Sequence, residues 1–340
     1  MNFLFFGLGS IGQRHLRNLI KLKKKSKIYA LRKKNTTPLL DNKNRKIKGN
    51  LEKKYDVISI KKLDYLKKNN IKIDAAFICN PSSMHVSTAE WCIKRKIPIF
   101  IEKPVATNSK ELNKINKLIK SKKNLINLVG YQLRFNPLIQ FIKNYCFDKE
   151  KLGKVYNCEI YHGEHVDSFH SYESYKDSYT SKKKLGGGVV LTQIHELDYL
   201  NYFFNKYKLI DFKYISQKIS NLKIDVEDNY TSIFKFKSQT KNNISLAKVT
   251  CSYMQVPKKR TIFLSCEIGS LFADLNNSKI KIMKKNNKEI VKKFNFVKNK
   301  MFENEIKHFL DLITKKTKKR ILPNIIEDNF VNNLANKIKI

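Results

Sequence analysis

Three glycines, Gly7, Gly9 and Gly12, follow directly on the apolar run at residues 3–6. No other feature limits the fold of this chain as tightly. Beyond them Gly12, Leu16, Leu19 and Ile20 recur at helical spacing, and a second apolar run returns at residues 28–31. Strand, tight turn, helix and strand within about 30 residues are what G-x-G-x-x-G needs to act as a dinucleotide-binding turn. Without that context it is only a glycine-rich bend. Gly7 permits the sharp exit from the strand, Gly9 leaves room for a pyrophosphate, and Gly12 lets the helix lie close to the sheet. Ser10 and Ile11 complete the turn, so the unpaired N–H groups at the helix start face the phosphates.

The alternation continues to about residue 130. Apolar runs at 56–60, 75–79, 97–101 and 125–130 are separated by helical patterns, such as Val86, Ala89 and Ile93. Asn108 with Glu111 three residues on reads as a capping box, ahead of Leu112, Ile115, Leu118 and Ile119 on one helix face. This pattern predicts a doubly wound parallel sheet with helices on both faces. Past residue 132 the style changes. Helices are expected at 137–147 and 188–204, with a strand at 155–161 and a polar, aromatic stretch at 163–184. Seven short strands then fill 209–296, joined by hairpin-length turns, which predicts antiparallel pairing. Two helices close the chain. The expected architecture is an α/β Rossmann domain over residues 1–132 and an α+β domain over 133–340. The second carries an open-faced, mostly antiparallel sheet, and its tail helix packs back on the first.

A chain of 340 residues, 41% hydrophobic with 21 Phe and 16 Tyr, has the material for two cores. The net charge of +40 raises the question of a polyanion partner. Lysine is spread along nearly the whole chain beside abundant Asn and Ile, as a low-GC coding bias would produce, and no nucleic-acid reader motif is present. Neither nucleic acid nor a membrane is therefore an expected partner, although a positive field favours phosphorylated or carboxylated ligands. Six cysteines without a C-x-x-C pair read as small buried hydrophobes. The N-terminus lacks a basic leader pattern, and no run of 18 apolar residues occurs. A cytoplasmic protein is the expectation.

Open α/β sheets bind ligands beyond the carboxyl ends of their strands. Arg32, followed by Lys33 and Lys34, ends the second strand. It reads as a site for a 2′-phosphate, favouring NADP over NAD, or as one more basic surface loop. Asn80 and Pro81 follow the strand at 75–79 beside the nicotinamide half of the site, with Ser82 or Ser83 able to cap the next helix. His85 falls in that helix start, in a cofactor-binding or a structural role. Glu102, Lys103 and Pro104 follow the strand at 97–101. A lysine there can hold a substrate hydroxyl and steady a developing alkoxide, and a cis proline would fix the turn.

These segments occur in the order and spacing of one family. They are residues 7–12, Asn80-Pro81 with His85, Glu102-Lys103-Pro104, residues 130–137 around Arg134, and the triple glycine at 186–188 leading to His195. The chain resembles the glucose–fructose oxidoreductase/inositol dehydrogenase (Gfo/Idh/MocA) family over its whole length. The resemblance implies a Rossmann domain and an open-faced sheet that makes dimer or tetramer contacts. It also implies NAD(P)-dependent chemistry on sugars, polyols or sugar nucleotides. Carried over by position, Lys103 and His195 are the catalytic lysine and acid/base histidine, and Arg134 lies near nicotinamide or substrate. One departure stands out. Many members have an aspartate four residues before the histidine, where this chain has Leu191. Glu196 or Asp198 would supply the carboxylate instead, or none does: Glu196 points about 100° from His195, and Asp198, at i+3, can share a face with it.

The stretch at 163–185 resembles a subgroup associated with surface glycans and acidic nine-carbon sugars. Its hydroxyl, aromatic and basic side chains suit sugar faces. Tyr172, Tyr175 and Tyr179 at i, i+3 and i+7 equally fit one helix face packed on the core. Arg134, His170, Tyr179, Thr192 and Asp198 are the expected substrate contacts, and no metal site is expected from His162, His165 and His170. The reading is an NAD(P)-dependent oxidoreductase acting on a secondary hydroxyl or ketone. The alternative is a cofactor-bound sensor or scaffold without turnover, motivated by the missing aspartate.

Overall fold

A computed structural model describes residues 1–32, 37–122, 124–169 and 172–340. Six strands form a parallel sheet: β1 (Asn2–Phe6), β2 (Lys27–Leu31), β5 (Val57–Ile60), β6 (Ala75–Ile78), β7 (Ile99–Glu102) and β8 (Asn127–Gly130). A small hairpin, β3 (Leu39–Leu40) with β4 (Lys46–Ile47), sits apart between β2 and β5. The order β5-β2-β1-β6-β7-β8 turns round between β1 and β6. Phe3, Leu4 and Phe5 of the central strand are fully buried, because helices cover both faces of the sheet. That is why β1 reads as an unbroken apolar run and not as an alternation. Helices α1 (Ser10–Leu22), α2 (Leu51–Tyr55), α3 (Asp64–Lys68), α4 (His85–Lys94) and α5 (Ser109–Lys120) belong to this half. Asn108 caps α5 by accepting from Glu111 N at 2.9 Å. Neither Ser82 nor Ser83 supplies the cap expected for α4.

The second sheet has eight strands: β9 (Val155–Gly163), β10 (Tyr207–Gln217), β11 (Asn229–Ser238), β12 (Ile244–Ser252), β13 (Lys259–Cys266), β14 (Gly269–Asp274), β15 (Lys279–Lys284) and β16 (Glu289–Lys293). All neighbours pair antiparallel except β12 and β9. Here the structure corrects a reading based on short links alone. β12 and β13 are consecutive but not adjacent, because β9, made some 80 residues earlier, inserts between them. Helix α6 (Pro137–Ile142) follows β8; Tyr230, Phe234, Val249, Ile160, Ile262 and Leu271 are buried on the inner face of the second sheet, where α7 (Val189–Thr192) and α8 (His195–Phe203) pack on β9, β11 and β12. The outer face exposes Ile233, Leu246, Phe263 and Phe272.

The expected helix at 188–204 is broken at Gln193 and Ile194 into α7 and α8, which leaves the Thr192 carbonyl outside the helical ladder. Residues 172–179 do not form one helix. Only a single 3₁₀ turn, Tyr179–Ser181, is present there, so the three tyrosines share no helix face. The two closing helices, α9 (Asn299–Ile313) and α10 (Ile325–Ile338), pack on the first sheet. Asn299 bonds Asn18 of α1 at 2.9 Å, and the Pro323 carbonyl accepts from Val129 N at 2.9 Å, covering the edge of β8. No helix among the described residues is long and apolar enough to cross a membrane.

Candidate active site

The turn after β1 and the loop after β6 touch at the point where strand order reverses. Gly7 has φ +93°, and a Cβ built there would lie 2.6 Å from the Cys79 carbonyl oxygen. At Gly12 a Cβ would lie 2.3 Å from the Gly7 carbonyl oxygen. Both contacts are with backbone, so any side chain at these positions forces the turn to move. Gly9 differs, since nothing lies within 4 Å of where its Cβ would be. Its open side belongs to a cleft of about 550 Å³, walled by Gly7, Gly9, Ser10, Ile11, Asn80, Pro81, His85, Glu102, Lys103, Tyr179 and His195. Asn80 Oδ1 is buried in that wall with no partner among the described residues, an acceptor suited to a ligand hydroxyl or amide. An open glycine turn, a helix N-terminus and an unmatched acceptor in one cleft fit a dinucleotide. Gly9→Ala is expected to melt like the parent chain while weakening NADH binding by about tenfold or more, because the methyl fills pyrophosphate space and not protein space. Thermal unfolding and calorimetry check the two halves of this statement.

His85 bridges two loops. Its ring nitrogens face the carbonyls of Pro104 at 2.7 Å and Asn80 at 2.9 Å. It lines the cleft, but its polar atoms are committed to shaping the wall. The Lys103-Pro104 peptide is cis. Lys103 Nζ donates to the Thr192 carbonyl at 2.7 Å, the acceptor released by the break between α7 and α8. Burial lowers the Lys103 ammonium from the usual lysine range, and the Glu102 and Glu196 carboxylates oppose that shift. His195, the first residue of α8, accepts from Gln132 Nε2 at 3.2 Å through its own Nε2. Burial and the neighbouring Lys103 charge push it well below the ordinary histidine range, so the imidazole is neutral at neutral pH. An ammonium from the turn after β7 and a neutral imidazole from the start of α8 therefore share one cleft.

Several expected contacts lie elsewhere. Arg134 grips Asp198 in a buried bidentate pair, with Nη2 to Oδ1 at 2.7 Å and Nε to Oδ2 at 3.0 Å. Neither residue lines the cleft. Their pairing ties the segment after β8 to α8, and removing one partner would cost about 3–5 kcal/mol of stability. Asp198 thus pairs with Arg134 and not with His195, and Arg134 is not among the residues that line the cleft. The Thr192 hydroxyl accepts from Tyr253 at 2.8 Å, so Thr192 positions Lys103 and does not line the cleft. Arg32 is buried against Glu52 at 2.5 Å, and this carboxylate neutralises the guanidinium expected to meet a 2′-phosphate. The expectations on Lys33, Lys34 and His170 fall outside the described residues. Among the described residues, no group of three or more His, Cys, Asp or Glu is arranged to hold a metal.

The cleft also holds residues that the sequence reading did not assign. Gln132 lies two residues beyond β8, where the strand-end rule points, and Arg134 drew attention away from it. Tyr172 and Glu173 come from the stretch before α7, and Phe302 comes from α9. Phe302 carried no sequence signal, because one apolar residue on an amphipathic helix looks like any other.

Behind the Glu102-Lys103 turn lies a buried acid cluster. His15 Nε2 donates to Glu102 Oε1 at 2.6 Å. Glu305 of α9 is fully buried, with neither carboxyl oxygen partnered among the described residues. Burial, with Glu102 beside it, raises Glu305 well above the usual carboxyl range. The folded chain therefore keeps a proton that the unfolded chain loses near pH 4.5. Stability is complete below that pH and falls as pH rises toward the folded value, with a limiting slope of about 1.4 kcal/mol per pH unit. Glu305→Gln is expected to flatten this decline in melting temperature as pH rises above 4.5.

Two family models match the chain. An oxidoreductase-family model described as an NAD-binding Rossmann fold covers residues 1–131, and the same family's C-terminal alpha/beta domain covers residues 146–318. No curated protein sequence matches. Among solved structures, a UDP-N-acetylglucosamine 3-dehydrogenase from Acidithiobacillus ferrooxidans is similar at 16% identity and TM-score 0.74, covering 99% of this chain and 96% of the other. A levoglucosan dehydrogenase in complex with NADH and levoglucosan gives 12% identity and TM-score 0.79, with coverage of 99% and 96%. A biliverdin reductase from Synechocystis, in complex with biliverdin and NADP+, gives 13% and 0.73, with coverage of 99% and 97%. At these identities the likeness is one of fold.

Proposed function

Because this chain belongs to the Gfo/Idh/MocA oxidoreductase family and carries its NAD-binding Rossmann domain, we propose that it transfers a hydride to or from a secondary hydroxyl or ketone of a sugar, polyol or sugar nucleotide. The supporting observation is the placement of Lys103 and His195 in the one cleft that opens at the glycine turn. Residues 7–12, Asn80 and Glu102 would hold the dinucleotide, which supplies the hydride acceptor or donor when bound. Lys103 positions the substrate oxygen and offers positive charge as that oxygen becomes anionic. His195, neutral in the resting site, takes the hydroxyl proton in oxidation and returns it in reduction. The similar structures include a UDP-N-acetylglucosamine 3-dehydrogenase and a levoglucosan dehydrogenase, which supports the substrate class.

Calorimetry with NADH and NADPH tests the cofactor. Arg32 is paired with Glu52, and the two titrations decide between NAD and NADP. A scan of sugars and sugar nucleotides for reduced-nicotinamide absorbance tests the reaction. Absence of binding to either coenzyme would overturn the proposal, and tight binding with silence across the scan would favour the sensor reading.

We further propose that the outer face of the second sheet docks a second copy. Ile233, Leu246, Phe263 and Phe272 form an exposed apolar set there, between 38% and 51% exposed, and flanking Glu159 and Lys248 offer both signs of charge. Light scattering is expected to give a dimer or tetramer, and Phe263→Glu with Phe272→Glu is expected to give monomers. A monomeric parent chain would remove this assignment.

A further inference from the structure

The sequence left His195 without an acidic partner, since Leu191 stands where an aspartate was expected. Neither of the two nearby carboxylates takes that place. Asp198 grips Arg134, and Glu196 Oε1 lies 2.9 Å from Arg260 Nε of β13 and 3.2 Å from His162 Nδ1 of β9. His195 Nδ1 is buried with no partner among the described residues. A histidine that works as a base commonly has its proton placed from behind, by a group bonded to the nitrogen that does not react. Among the described residues no such group meets Nδ1.

The polar contact that the ring does make comes from the opposite side. Gln132 Nε2 lies 3.2 Å from His195 Nε2, and both residues line the cleft. An amide nitrogen donates, so the His195 Nε2 accepts and carries no proton. Burial and the Lys103 charge keep the imidazole neutral, and a neutral ring then holds its one proton on Nδ1.

The surroundings hold this contact in place at three points. Gln132 opens the 3₁₀ turn Gln132–Phe135 that follows β8. Arg134 of the same turn pairs with Asp198, three residues beyond His195 on α8, at 2.7 Å. Tyr131, just before the turn, packs edge-on against the imidazole with ring centroids 5.7 Å apart, and its hydroxyl donates to Asp328 of α10 at 2.7 Å. One short segment therefore meets α8 through a ring contact, an amide and an ion pair.

We propose that Gln132 is a positioning residue that acts through His195: its amide holds the imidazole as the Nδ1–H tautomer, keeps Nε2 bare, and yields that nitrogen to the substrate hydroxyl. The catalytic use of Nε2 rests on the dehydrogenase reading. In oxidation the hydroxyl proton passes to Nε2 while Nδ1 keeps its own, which leaves an imidazolium, and in reduction Nε2 returns the proton. A buried N–H without an acceptor is unfavourable. Without the Gln132 amide, the proton therefore belongs on Nε2, on the cleft side, and the base is blocked.

The test uses full-length chain labelled with ¹⁵N-histidine at neutral pH, with the His195 signals assigned by their absence in His195→Gln. Bare and protonated ring nitrogens resonate far apart, so the spectrum reads the tautomer directly. The parent chain is expected to show a bare Nε2 and a protonated Nδ1. Gln132→Leu, which removes the donor, and Gln132→Glu, which replaces it with an acceptor, are each expected to move the Nε2 signal to the protonated position. Melting curves establish that each variant is folded, and if neither folds the parent spectrum decides alone. A parent chain with its proton on Nε2, or folded variants in which Nε2 stays bare, would overturn the proposal. No substrate enters this measurement, so silence in the substrate scan would sink the dehydrogenase reading and leave the tautomer result standing.

Discussion

Lys103→Ala is expected to lower kcat by about 10²–10³-fold, the usual loss when one group that stabilises a developing oxyanion is removed. NADH affinity should stay within about threefold, because the glycine turn and the Asn80 loop are untouched. The side chain does two things. It places an ammonium in the cleft wall, and it ties the turn after β7 to the Thr192 carbonyl at the break between α7 and α8. Alanine removes both. The stranded carbonyl would cost about 1–3 kcal/mol of stability, so the melting temperature should fall as well. Lys103→Arg separates the two roles. It keeps the charge but offers a planar fork in place of a compact ammonium, and should recover stability more fully than turnover. Near-parent turnover by Lys103→Ala, on whichever substrate the scan identifies, would remove this lysine from the mechanism.

His195→Gln is expected to cost about 10²–10⁴-fold in kcat, the range for a lost general acid or base. Glutamine keeps a polar contact for Gln132 but has no proton to exchange. The pH profile is the sharper check. In the oxidative direction the parent rate should fall as the imidazole becomes protonated. Burial and Lys103 hold that protonation well below the ordinary histidine range, so the decline belongs on the acid side. In His195→Gln that limb should be absent. If the limb survives in the glutamine variant, another group moves the proton.

The first half of the chain was readable because its geometry is local. The central strand is buried on both faces, which forces an unbroken apolar run, and the following turn tolerates only glycine where a Cβ would strike backbone. Lys103 and Asn80 were legible as residues of the cleft for the same reason, since strand ends in an open parallel sheet point toward its ligand crevice. Gln132 obeyed that rule and was overlooked for the more conspicuous Arg134. The pairs were not readable. Arg134 and Asp198 stand 64 residues apart, and Lys103 and Thr192 stand 89 apart. Arg260, which pairs with Glu196 and donates to His162, meets that histidine because the insertion of β9 makes their strands adjacent. The break between α7 and α8 was missed because the apolar spacing runs through it undisturbed.

The sequence by itself determined the parallel nucleotide-binding half, the kind of chemistry and the two side chains proposed to perform it. Those follow from steric limits and burial patterns that act over a few residues at a time. Only the tertiary structure decided which charge meets which. It turned Arg32 to Glu52, Asp198 to Arg134 and Glu196 to Arg260. A buried charge requires a counter-charge within a few ångströms, but nothing in chain order says from which strand that counter-charge will come.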